Sequence, residues 1–286
     1  RVISVRAALF HKYSHCSRQM LLPSAVASAA AARGESWLLM AQTCGYAALF
    51  ALAHVALRPI VRMTAIEPKF RGDWINRLVA SGHATISGVF GARMLMEAPF
   101  FAIFQQVVRY TPTDTVHADS EAFGLMLPFT LGYFAYDCVI MAIDNEVYSP
   151  LMVVHHAVSL VVWPISFLSR AGNVYIAYFL STELSTPLLH MTVFFLPKHR
   201  IEGFLPTAVG VSLLLAFFLL RVLPSPMLLY SLYASRPYWG DVSPIVTAMA
   251  FSTIPIPPFL FAYWFYKLVQ GAVKVFQKPA VQEKTD

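Results

Sequence analysis

The stretch SPLMVVHHAVSLVVWPISF, residues 149–167, is apolar almost throughout, yet it carries His155 and His156 side by side. At ~1.5 Å of rise per residue, about 20 such residues make a helix that crosses ~30 Å of hydrocarbon. The apolar run therefore predicts a membrane helix, and the histidine pair raises the question of whether two imidazoles in lipid are packing groups or a site. The whole chain extends the first reading. Of its 286 residues, 57% are hydrophobic and only 13% charged, with a mean hydropathy of +0.59. Soluble domains carry roughly 25% charged residues, so a chain this apolar must meet hydrocarbon.

Working outward, seven apolar stretches fall near 37–57, 78–98, 123–143, 151–168, 174–195, 205–222 and 245–269. Their length, and the need to satisfy every backbone polar group inside lipid, make them helices rather than strands. The expected fold is all-α, a polytopic transmembrane helical bundle of six or seven spans. It forms one domain over 37–272, between a basic N-terminal tail (1–36) and a polar C-terminal tail (273–286). The sequence DNEVYSP at 144–150 reads as a tight turn that makes the third and fourth spans an antiparallel hairpin. In the second span, Ala84, Gly88 and Ala92 recur at four-residue spacing, which lets a neighbouring backbone come close.

The net charge is +6 and the pI about 9.3. No basic stretch is interleaved with aromatics, so the charge reads as loop Lys and Arg of a membrane protein and not as a nucleic-acid surface. Basic residues at 58–77, 198–200 and 267–284 fall on one membrane side, expected to be cytosol or matrix; Arg109, Arg170, Arg221 and Arg236 fall in loops on the other. Residues 1–34 hold several Arg and Lys, many Ser and Ala, and no acid. That composition resembles a mitochondrial targeting segment or its remnant, the alternative being a membrane-surface amphipathic tail. A first residue of Arg instead of Met adds the expectation of a processed or partial chain. Cys16, Cys44 and Cys138 are isolated. With no CxxC, GxGxxG, GxxxxGK[ST] or GxSxG, nothing supports a disulfide framework, a metal site, nucleotide binding or ordinary serine-hydrolase chemistry.

Ionisable residues inside spans are costly and face the bundle interior. Here they are His83, Arg93, Glu97, Asp137, His155, His156, Glu183 and His190. Arg93 and Glu97, four apart, are expected to form an internal ion pair. Asp137 lies about as far before the 144–150 turn as His155 and His156 lie after it, so one imidazole is expected within reach of the carboxylate. Adjacent helical residues point ~100° apart, so only one can do this. Glu183 and His190 share a face of the fifth span, where Pro187 is expected to kink the helix. His83, Asp137, His155, His156, Glu183, Thr186 and His190 are the expected lining of a polar cavity.

At these residues the chain resembles the TLC-domain family, the group that includes ceramide synthases and the translocating-chain-associating membrane protein. The resemblance covers roughly residues 74–265 and rests on WINRLVASGHA (74–84), LGYFAYDCVIM (131–141), HHAVSL (155–160), ELSTP (183–187) and RVLPSP (221–226) in that order. It is nearest to a branch that carries ELSTP. The resemblance implies a helical bundle around a lipid-accessible cavity. In ceramide synthases the paired histidines and two later carboxylates belong to the acyl-transfer site. Here the pair matches His155 and His156, and Glu183 approximately matches the first acid. The second falls near Thr186, which carries no charge, so N-acyl transfer is not the expected activity. Were the protein an enzyme, His155, His156, Asp137 and Glu183 would be its catalytic candidates.

Three functions follow as expectations: a lipid-binding or lipid-handling protein without ceramide synthase activity; an accessory subunit of a larger complex, contacted through residues 1–34; and an acyl-CoA-dependent lipid acyltransferase. The expected partners are membrane lipids, a phospholipid or sphingolipid, with no other cofactor. The mitochondrial inner membrane and the endoplasmic reticulum are the two candidate locations.

Overall fold

A computed structural model describes residues 25–194 and 204–276. Most of the basic tail, the stretch with Lys198 and Arg200, Cys16 and the last ten residues lie outside the described residues. The described chain divides into two units, one ending at Met40 and one beginning at Ala41. Helix α1 (Ala25–Arg62) starts in the first and ends in the second.

The further helices of the second unit are α2 (Arg71–Leu95), α3 (Ala98–Arg109), α4 (Glu121–Ile143), α5 (Pro150–Leu168), α6 (Asn173–Thr182), α7 (Thr186–Phe194), α8 (Phe204–Phe217), α9 (Ser225–Ala234), α10 (Pro244–Thr253) and α11 (Ile256–Phe276). No strand occurs among the described residues. Five helical segments are long and apolar enough to cross a membrane, and six if α2 and α3, bent by 65° at their junction, count as one. The stretch expected as a span at 174–195 is helical, but as two short pieces, α6 and α7, joined by a 3-10 turn at Glu183–Ser185. Pro187 has no N–H for the Glu183 carbonyl. The irregularity therefore sits one turn before the proline, which itself falls in the first turn of α7.

Helix α2 is the weakest of the expected spans in hydropathy because it faces protein more than lipid. It packs against α4, α6 and α7, and its buried side includes Ala80, His83, Ala84, Ser87, Gly88 and Gly91. A Cβ at Gly88 would stand 2.7 Å from the backbone nitrogen of Leu184, and one at Gly91 would collide with the Leu180–Ser181 backbone. Gly91 thus takes the place on the close-packed seam that the four-residue spacing assigned to Ala92. Such contacts matter in lipid, where hydrophobic exclusion does not drive helices together. Helix α4 meets α1 in the same way at Gly132, whose Cβ would lie 2.9 Å from the Ala47 nitrogen.

The 144–150 turn closes through Asp144, whose carbonyl accepts from Val147 N (3.1 Å) and whose carboxylate accepts from Glu146 N (3.0 Å). Pro150 then starts α5, where its missing N–H costs nothing. The buried side chains of α5 are His156 and Ser159, so this helix turns polar groups inward, and Leu160 and Trp163 pack beside them on the core.

Two further sequence expectations fail. Arg93 and Glu97 form no ion pair among the described residues. α2 ends at Leu95, and Glu97 has extended backbone (φ −72°, ψ 145°), so the i,i+4 geometry is lost; Glu97 instead accepts a hydrogen bond from Ser120. Arg221, expected in a loop, is buried in the bundle on a π-helical turn at Phe218–Val222. Pro224 offers no N–H to the Leu220 carbonyl, which the Tyr178 hydroxyl caps at 3.3 Å, while Leu223 N reaches back to Phe218 O at 2.8 Å.

Candidate functional site

A cavity of about 930 Å³ runs along α5 and is bordered by α2, α4, α6, α7, α10 and α11. Its lining reaches from Ser149 to Ser166, which at ~1.5 Å per residue is roughly 25 Å of helix. Much of the wall is hydrocarbon, including Val158 and Val162 of α5 and Leu260 and Trp264 of α11. His83, Asp137, His155, His156, Glu183, Thr186 and His190 all line it, so one space receives every residue expected there.

Asp137 and His156 form the first of two polar networks. Both are 4% exposed. His156 Nδ1 lies 3.1 Å from Asp137 Oδ2, off the line of an aligned N–H bond; the pair is a close polar contact that favours the proton on Nδ1. The ring is fixed by stacking on Phe134, with centroids 4.4 Å apart. Asp137 Oδ1 accepts from Asn76 Nδ2 (3.0 Å), and Asn76 Oδ1 accepts from the Tyr136 hydroxyl (3.3 Å). That leaves the Tyr136 oxygen to accept from His54 Nδ1 at 2.7 Å. Four helices, α1, α2, α4 and α5, thus hold one carboxylate. An amide in the middle cannot pass a proton as a hydroxyl can, so the chain orients Asp137 and does not relay protons.

The second network surrounds Glu183 on the 3-10 turn. Arg221 Nη2 stands 3.5 Å from Glu183 Oε1. Thr186 Oγ1 donates to Glu183 Oε2 (2.8 Å) and accepts from Arg221 Nη2 (3.0 Å), while Arg221 Nε donates to Ser185 Oγ (2.8 Å). The hydroxyl at the position where the resemblance called for a second acid therefore bridges an ion pair.

The remaining histidines differ. His190 Nδ1 is bonded to Ser81 Oγ at 2.9 Å. His83, 2% exposed, stacks on Tyr133 at 4.0 Å and leaves Nε2 without a partner. His155 touches Phe134 and His156 by ring contact. No group of His, Cys, Asp and Glu that could hold a metal occurs among the described residues. Chemically, the site offers an imidazole beside a carboxylate, groups of the kind that general acid–base chemistry uses. Its second carboxylate is committed to Arg221.

Sequence reasoning missed His54, Asn76, Tyr136 and Arg221. His54 sits in an apolar run as His83 does, and the same criterion finds it. Asn76 and Arg221 stand inside the stretches WINRLVASGHA and RVLPSP; an arginine ending an apolar run reads as a loop unless the π turn is known.

Comparison with known proteins gives a family match described as TLC domain over residues 73–270. The chain is 27% identical over 237 residues to TLC domain-containing protein 4-B of Danio rerio, covering 77% of this chain and 81% of that one. It is 22% identical over 236 residues to TLC domain-containing protein 4 C of Dictyostelium discoideum (77% and 78%) and 24% identical over 215 residues to TLC domain-containing protein 4 of Homo sapiens (71% and 75%).

Proposed function

We propose, from the premise that the chain belongs to the TLC-domain family and is a multi-pass integral membrane protein, that it binds a membrane lipid in the cavity along α5 and does not synthesise ceramide. The observation that carries the reading is the cavity itself. A volume of about 930 Å³ lies within the 300–1,000 Å³ typical of small-molecule sites. It joins a long apolar wall to a small set of converging polar groups, which is the form an amphiphile requires. Against amine acylation stands the state of the acid that matches the family's first carboxylate. Glu183 faces a guanidinium and a threonine hydroxyl, which leaves Asp137 as the acid beside a histidine.

The test has two arms. Native mass spectrometry of the detergent-purified chain is expected to show one retained lipid, weakened in Ala250→Trp, which projects an indole into the cavity. A solid core with no retained lipid would sink the binding reading. In the second arm, reconstituted protein receives long-chain acyl-CoA and sphingoid base beside a His155→Ala, His156→Ala variant. No turnover is expected; turnover in the parent that the variant abolishes would promote the acyltransferase reading.

A further inference from the structure

We infer that Arg221 is the anchor for a lipid carbonyl and that the ligand of the cavity is a neutral acyl ester, of which an acylglycerol is the simplest. The inference rests on the cavity reading above and adds the chemical class and the contact. Arg221 lines the cavity and is 8% exposed. Nε is taken by Ser185, and Nη2 by Thr186 and Glu183, but Nη1 makes no hydrogen bond among the described residues. A guanidinium has five N–H donors and no acceptor, so the two donors on Nη1 are left for another oxygen. The π turn at Phe218–Val222 is what places this side chain inside the bundle, and such turns recur at functional positions.

Charge decides which oxygen fits. The cationic groups lining the cavity are Arg77, Arg221 and Lys267, and the acidic ones are Asp73, Asp137 and Glu183. Arg77 faces Asp73 at 2.9 Å and Arg221 already faces Glu183, while Lys267, on α11, lies 5.8 Å from the Tyr263 ring centroid. A carboxylate or phosphate brought to Nη1 would set two anions about one buried guanidinium, with Asp137 lining the same space, an arrangement penalised in low dielectric. A neutral carbonyl oxygen satisfies the donors without adding charge. The rings of Phe217 and Phe261 lie 5.2 and 5.0 Å from Cζ, so the donor opens from an apolar wall, where a carbonyl at the head of a hydrocarbon chain belongs.

The experiment titrates the full chain in detergent with monooleoylglycerol, with its ether analogue oleylglycerol, which lacks only the carbonyl, and with oleate, reading each Kd by native mass spectrometry. The parent is expected to bind the ester about tenfold or more tightly than the ether, the scale of a hydrogen bond to a charged group, and more tightly than oleate. Arg221→Lys keeps a cation opposite Glu183 but loses the second amino group, so it should lose the ester preference. Equal binding of ester and ether by the parent, tighter binding of oleate, or an ester preference that survives in Arg221→Lys overturns the inference while leaving the cavity reading intact. Binding of none of the three overturns the inference, and the cavity reading falls with it only if native mass spectrometry also finds no retained lipid. Should Arg221→Lys fail to fold, the parent's ranking of the three ligands decides alone.

Discussion

Substituting Gly88 by alanine should destabilise the protein, whereas the same change at Gly82, two turns away on α2, should not. In an exposed helix interior, alanine is favoured over glycine by up to ~1 kcal/mol. At Gly82 a Cβ meets nothing within 4 Å, so that gain is kept. At Gly88 the new carbon would stand 2.7 Å from Leu184 N and 2.9 Å from Leu184 Cγ. The first obstacle is backbone of the 3-10 turn that carries Glu183, which cannot move without disturbing the Arg221 network. Overpacking of this kind costs about 1–3 kcal/mol, which offsets the helix term and leaves the two variants separated by roughly 1–3 kcal/mol. For a chain of this size 1 kcal/mol shifts Tm by about 2–4 °C, so Gly82→Ala should melt several degrees above Gly88→Ala. The assay is thermal denaturation in one detergent, followed by the monomer peak in size-exclusion chromatography. Equal melting of the two variants would refute the claim that α2 and the Glu183 turn pack backbone to backbone.

Tyr136→Phe removes the hydroxyl between His54 and Asn76 and should cost about 1–3 kcal/mol; Tyr133→Phe, whose hydroxyl makes no hydrogen bond among the described residues, should cost less in the same melt. Arg221→Gln and Glu183→Gln each leave a charge without its partner, and the double variant should be less destabilised than the sum of the two by about 1–3 kcal/mol. A double-mutant cycle on Tm-derived stabilities measures this, and strict additivity would show that the 3.5 Å pair contributes nothing.

The membrane class, the helical bundle and the hairpin at 144–150 are legible because hydropathy, length and turn chemistry are local properties of a chain. Depth is nearly local too. Counting residues from one turn brings Asp137 and the histidine pair to the same level, and His156 proves to be the one beside the carboxylate. What escapes is whatever depends on how a helix ends. Arg93 and Glu97 have the spacing of a pair, but the helix stops between them. The π turn that carries Arg221 inward is set by Pro224 together with a capping hydroxyl from Tyr178, a residue forty-odd positions earlier.

The sequence by itself therefore determined that this is a membrane bundle and which titratable groups its interior would have to accommodate, since hydrocarbon tolerates those groups only where protein surrounds them. The tertiary structure alone decided how they are shared out. Asp137 went to His156 and Asn76, Glu183 to Arg221 and Thr186, and His83 kept a nitrogen unpartnered. The physical reason is that a buried charge chooses its partner by distances of a few ångströms between helices, and the glycine and alanine seams and helix breaks that set those distances act only once the chain has folded.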